Sequence, residues 1–301
     1  MSSLVECVPN FSEGRRPEVI ARIAEAISSV ETACVLDQHI DADHNRSVIT
    51  FVASPEHVVE GAVKAVAQAR DLIDMQTHRG EHPRLGATDV LPFVPLNGMT
   101  LDDCAKLAHI AGQRIAAELS IPVYFYESAA LSANRVNLED VRRGALELLR
   151  EQISTNPERA PDLGPLSVHE TAGAIAVGAR PILIAFNVVL KSTDISMARN
   201  IARAVRAQSG GLPFVKALGF QLHSRRLVQV SMNLVNYHVT GMKEAYDAVI
   251  SESNKLGIEI NGVEIVGLVP REALDREAAY FSKLENFTEA KILENQIAKC
   301  S

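Results

Sequence analysis

The chain has 301 residues, with 30 lysines and arginines against 37 aspartates and glutamates, a formal charge of −7. Its 47% hydrophobic and 22% charged residues supply a packed core and exclude general disorder, and the length suits two domains. Net acidity argues against nucleic acid as a partner, no apolar run nears the roughly 20 residues that span a bilayer, and the first six residues lack a secretory pattern.

In chain order, residues 4–8 read as a strand stopped by Pro9-Asn10. Val19, Ile20, Ile23, Ala26 and Ile27 form one face of a helix over 16–30. Strands follow at 33–38 and 46–53, joined by a polar turn with Asp41, Asp43, His44 and Asn45. Ser54-Pro55 is a helix-start signal, and Val58, Val59, Ala62, Val63, Val66, Ala69 and Ile73 mark that helix's buried side. A strand at 90–96 carries Pro92 and Pro95, which predict an edge position. Helices are predicted at 101–119, opened by Thr100 with Asp103 three residues on, and at 138–153, opened by Asn137.

The later part repeats the order: a strand at 182–190, a helix at 194–208 closed by Ser209-Gly210-Gly211, strands at 214–222 and 227–235, a helix at 242–256 and a strand at 263–269. Two βαββαβ units predict an α+β protein of two ferredoxin-like subdomains with extra helices, assigned to residues 1–178 and 179–301. The Pro- and Gly-bearing stretch 155–165 reads as a crossing between domains, and the tail at 271–299 as helical.

The four cysteines, Cys7, Cys34, Cys104 and Cys300, are far apart and form no C-x-x-C pair. Cys7 and Cys34 read as buried thiols, and a reducing cytoplasm is expected.

The loop Gly80-Glu81-His82-Pro83-Arg84-Leu85-Gly86 is the first candidate for chemistry. Its glycines permit unusual backbone angles and Pro83 restricts His82. Imidazole titrates nearest neutrality, so His82 is placed either for general acid/base work or to brace the loop by hydrogen bonding. The 37–46 turn offers carboxylates and imidazoles, which suits either a capped turn or a divalent metal. In the strand at 227–234, Gln229, Ser231 and Asn233 share a polar, uncharged face, and Asn187 stands alone in an apolar strand, where its amide needs a partner. No P-loop and no G-x-S-x-G elbow occurs.

Val5-Glu6-Cys7-Val8-Pro9-Asn10-Phe11-Ser12-Glu13-Gly14, the Asn45-Arg46 turn, the Gly80–Arg84 stretch and Gln229-Val230-Ser231 with Asn233 resemble the glutamate formimidoyltransferase family, over nearly the whole chain. The resemblance implies two α/β subdomains holding tetrahydrofolate, as co-substrate, and N-formimino-L-glutamate between them, in a cytoplasmic homodimer of histidine degradation. It assigns the catalytic role to His82. It assigns folate binding to Asp162, Leu163, Gly164, Pro165, Gly173, Gly178 and Arg180, and substrate binding is expected of Asn10, Asn45, Arg46, Glu81, Arg84, Asn187, Gln229, Ser231 and Asn233. No metal is expected, nor is nucleic acid or a membrane as partner. The vertebrate pattern has a tryptophan before glycine where this chain reads His169-Glu170-Thr171-Ala172-Gly173, and the 39–44 turn is more acidic here. The vertebrate protein's cyclodeaminase part is not expected. Formyl transfer between 5-formyltetrahydrofolate and glutamate, a metal-dependent formiminoglutamate hydrolase and a non-catalytic sensor are the alternatives.

Overall fold

The computed structural model describes residues 3–274, 280, 283–285 and 287–300. The chain divides into two compact units, Met1–Arg180 and Pro181–Ser301.

The first unit opens with β1 (Val5–Cys7) and β2 (Asn10–Phe11), one strand interrupted at Pro9. Then come α1 (Pro17–Ser28), β3 (Cys34–Asp41), β4 (Arg46–Ala53), α2 (Val58–Leu72) and β5 (Thr88–Pro95). β4 and β5 flank the broken β1/β2 strand antiparallel, and β3 lies outside β4, the strand order of a ferredoxin-like unit. The sheet then continues beyond β5. After α3 (Leu101–Leu119), β6 (Val123–Glu127) and β7 (Ile175–Ala179) add in parallel, β7 between β5 and β6.

β5 is therefore central, not the edge that its prolines predicted. Pro92 sits opposite the break in β1/β2, where its carbonyl accepts from the Val8 amide at 3.2 Å and no ladder donor is demanded of it; Pro95 ends the strand. The stretch 155–165 also differs from expectation, lying inside the first unit. Val123 donates to the Leu163 carbonyl and Phe125 to the Asp162 carboxylate, which ties that stretch to the start of β6.

Helix boundaries show what local rules capture. Thr100 and Asp103 form the expected capping box of α3. By contrast, α2 starts at Val58 after a turn over Ser54–His57 and has no side-chain cap. The helix expected at 138–153 is two, α4 (Leu138–Val141) and α5 (Ala145–Gln152), because Gly144 and Ala145 both take left-handed angles, with φ of 78° and 53°. Helices α1 to α3 cover one face of the sheet with a core that includes Ile20, Phe51, Phe93 and Phe125. A smaller cluster, with Val90, Tyr126, Val141 and Leu149, covers the second face at its parallel end. Cys7 and Cys104 are buried thiols, whereas Cys34 is half-buried and disulfide-bonded, not the thiol expected.

The second unit contains β8 (Ile184–Leu190), α6 (Ile195–Val205), β9 (Val215–Leu222), β10 (Leu227–Leu234), α7 (Met242–Lys255) and β11 (Ile260–Val266). Its antiparallel sheet runs β11-β8-β10-β9, again ferredoxin-like. Val228, Val230, Met232 and Leu234 enter the core from β10, as their alternation required. The described part of the tail is not one helix. It holds short turns at Arg271–Ala273 and Glu289–Lys291 and α8 (Leu293–Ile297); residues 275–279, 281–282 and 286 of that expected helix lie outside the described residues.

Candidate active site

In the first unit, the break after Phe11, the β3–β4 turn, the loop before β5 and the α4–α5 break meet at one end of the sheet. Asn45, left-handed at φ 47°, pins them together. Its Oδ1 accepts from the Gly14 amide and its Nδ2 donates to the Arg79 carbonyl, both at 2.9 Å. Its own carbonyl accepts from His78 Nε2 at 3.0 Å. Arg84 donates through Nε to His78 Nδ1 at 3.0 Å and forks onto Glu147 at 2.8 and 3.3 Å. Asn45 and Arg84 thus brace the loop. Glu81 is exposed on it.

The glycines of this loop serve close approach, not unusual angles, since neither Gly80 nor Gly86 has positive φ. A Cβ on Gly80 would lie 2.4 Å from the His44 carbonyl oxygen, and one on Gly86 2.2 Å from that of Ala174. Backbone bonds from Ala87 to Ala172 (2.8 Å) and from Ala174 to Leu85 (3.0 Å) zip the loop onto residues 172–174, and Ser12 latches to the Gly86 carbonyl at 2.7 Å.

The electrostatic centre is Asp89, fully buried at an irregularity where β2 meets β5. Arg46 donates to it at 2.7 Å, Arg142 closes on it, and the Leu85 amide donates at 2.9 Å. Despite burial, the two guanidiniums hold its pKa down at about 2. Arg46 also donates to Asn10 Oδ1 at 2.8 Å. Beside this group, His82 Nδ1 donates to the Pro83 carbonyl at 2.7 Å. Burial, then Arg46 and Arg142, push the His82 pKa well below its ordinary value, with Asp89 opposing. Although half-buried by exposure, the ring has enough protein around it to lose much of its hydration. The result is a neutral imidazole with its proton on Nδ1 and a lone pair on Nε2.

The segments assigned to folate lie at several points of the first unit. Asp162 accepts from the Phe125 amide at 2.8 Å and pairs with Arg135 at 2.5 Å, so it anchors the chain at the start of β6, followed by Leu163, Gly164 (φ 91°) and Pro165. Gly173 faces Gly86, beside the His82 loop. Gly178 lies toward the far end of β7, where an added Cβ would be 2.6 Å from the Tyr126 ring, and Arg180 follows the strand, its amide donating to the Phe93 carbonyl at 3.1 Å.

In the second unit, Ser231, Asn187 and Glu264 form a row across β10, β8 and β11, on the face opposite the core. Asn187 is 5% exposed and donates to Glu264 at 3.3 Å, while its Oδ1 has no hydrogen-bond partner among the described residues. Gln229, 2% exposed, and Asn233, exposed, continue that face along β10.

The 37–46 turn is closed by Asp41, which accepts from the His44 amide at 2.9 Å and from its ring at 2.6 Å. No metal-binding cluster of three His, Cys, Asp or Glu is present among the described residues. Sequence reasoning missed Asp89, Arg142, His78 and Glu147. Only Asp89, a lone carboxylate before the apolar Val90-Leu91, left a signal.

Residues 4–180 match the family model described as the formiminotransferase domain, N-terminal subdomain, and residues 185–299 that of the formiminotransferase domain. The chain is 46% identical over 301 residues to a glutamate formimidoyltransferase of Thermoplasma acidophilum, 99% of each chain being covered. It is 41% identical over 298 residues to one of Streptococcus pyogenes, again over 99% of each. It is also similar to a formimidoyltransferase-cyclodeaminase of Sus scrofa, 44% identical over 292 residues that make up 95% of this chain and 54% of that protein.

Proposed function

The chain belongs to the formiminotransferase family, and on that premise we propose that it moves the formimino group of N-formimino-L-glutamate onto N5 of tetrahydrofolate, giving 5-formiminotetrahydrofolate and L-glutamate. N5 forms a bond to the formimino carbon, and the bond from that carbon to the glutamate nitrogen breaks. The attacking nitrogen loses a proton and the departing one gains it. His82 is the carrier of that proton, taking it at Nε2 and returning it to the leaving nitrogen.

One observation supports this role above the others: His82 is kept neutral beside two half-buried arginines, Arg46 and Arg142, that share one aspartate. A base must hold a lone pair before turnover, and the uncompensated positive charge favours anionic substrates nearby. Asn10 belongs to this group through Arg46, and the row of Asn187 and Ser231 with Gln229 is a candidate ligand-binding surface of the second unit. A homodimer and a cytoplasmic location accompany the reading; no helix among the described residues is long and apolar enough to cross a membrane.

The test supplies the purified protein either with formiminoglutamate and tetrahydrofolate or with 5-formyltetrahydrofolate and glutamate, and identifies the folate product by mass. Formimino transfer is expected, lowered by roughly 10²–10⁴-fold in His82→Ala while a tetrahydrofolate analogue still binds. Turnover of only the formyl donor, or an undiminished alanine variant, overturns the assignment.

A further inference from the structure

Glu6 is a buried acid that the chemistry above does not use. It lies on β1 between Val5 and Cys7, both fully buried in the core, so its side chain projects to the opposite face, which also carries Asn10 and Arg46. Its cross-strand neighbours are Val52 on β4 and Val94 on β5, so the acid stands in an apolar row. It is 6% exposed, and no hydrogen bond to its carboxyl is present among the described residues. Arg180, which continues β7 on the far side of β5, is the charged group whose field reaches it; the neighbouring Cys7 thiol is buried and stays protonated. Burial lifts the Glu6 pKa to about 7, with Arg180 opposing, so the carboxyl loses its proton readily once donors arrive.

A buried carboxyl with neither oxygen engaged by a described residue is incomplete. What completes it is a pair of parallel N–H donors on a planar, weakly hydrated group, which a carboxylate accepts side by side. Resting on the transferase reading, we propose that Glu6 is the receptor for the 2-amino-4-oxopyrimidine edge of the reduced pterin. Glu6 and Asn10 are four strand positions apart, roughly 13 Å along the sheet. That is of the order spanned by a pterin with its reacting nitrogen at His82, its far amino group at Glu6 and a hydrogen bond at each end. Formiminoglutamate does not fit as occupant, because its two carboxylates would face a carboxylate and its reacting carbon must stay at His82. Glu6 is then a specificity-determining contact, not a participant in the proton transfers.

The experiment is a double cycle between protein and ligand. Wild type and Glu6→Gln are titrated calorimetrically with tetrahydrofolate and with 2-desaminotetrahydrofolate, and thermal melts establish that the variant is folded. The wild type is expected to lose roughly 10- to 100-fold in affinity on removal of the amino group, the worth of a charge-assisted hydrogen bond, and Glu6→Gln to bind tetrahydrofolate that much more weakly. The two losses are not additive: the variant discriminates little between the ligands. In turnover, KM for tetrahydrofolate rises while kcat is retained. Equal discrimination by wild type and variant, or a wild type indifferent to the amino group, overturns the assignment of Glu6 and leaves the transferase reading standing. A wild type that binds no tetrahydrofolate overturns both. Should Glu6→Gln fail to fold, Glu6→Leu, which suits the apolar row of Val52 and Val94, is titrated in its place with the same expected loss of discrimination.

Discussion

Asp89 accepts a hydrogen bond from Arg46 at 2.7 Å in a position with no exposure to solvent. Arg142 closes on the same carboxylate, so one buried negative charge holds two half-buried positive ones. Removing it strands both guanidiniums. Asp89→Asn keeps the shape, loses the charge, and is expected to destabilise the protein by about 3–5 kcal/mol, as breaking buried pairs does. Denaturant unfolding measures this, and a loss under about 1 kcal/mol, the range of a surface pair, would contradict it. Because folding depresses the Asp89 pKa from 3.8 to about 2, this carboxylate's titration contributes stability that is fully present above the ordinary value. That contribution, about 2 kcal/mol, is lost as pH falls through the folded value.

The same charges govern His82. With its pKa held well below 6.5, the neutral base is already formed in mildly acidic solution, and the acidic limb of kcat/KM falls below the ordinary histidine range. Arg142→Gln removes a positive charge that disfavours imidazolium, so the limb moves up in pH. A limb that stays in place, or moves down, would show that Arg142 does not act on this ring.

Asn187 trades stability for a polar surface. Its orphaned Oδ1 carries a desolvation penalty of about 1–3 kcal/mol, and a β-branched residue suits a strand better. Asn187→Val is therefore expected to raise stability by about 1 kcal/mol in urea unfolding while KM for formiminoglutamate increases. A variant that is less stable and kinetically unchanged would assign the amide to the fold alone.

Gly178 answers to packing. A methyl there would meet the Tyr126 ring at 2.6 Å and the Tyr126 carbonyl oxygen at 2.7 Å, so Gly178→Ala is expected to cost about 1–3 kcal/mol, as overpacking does. Thermal melts measure the loss, and calorimetry on the folded variant is expected to give an unchanged folate affinity. Weakened binding at full stability would instead support the folate-binding role that the family resemblance implies.

The chain by itself determined the order of elements within the two βαββαβ units, the buried faces of α1, α2 and β10, the capping box at Thr100 and the loop around His82. All of these rest on periodicity or on contacts a few residues apart. It did not disclose β6 and β7 as strands, nor that β5 would become central. A parallel strand buried on both faces reads as a plain apolar run, and Pro92 is tolerated because of a break in a strand more than eighty residues earlier. Tertiary structure alone decided the electrostatics. Asp89 and Arg142 are 53 residues apart, and Arg84 and Glu147 are 63 apart. A local pattern cannot announce which distant charges will be desolvated together, and that desolvation sets the protonation of His82.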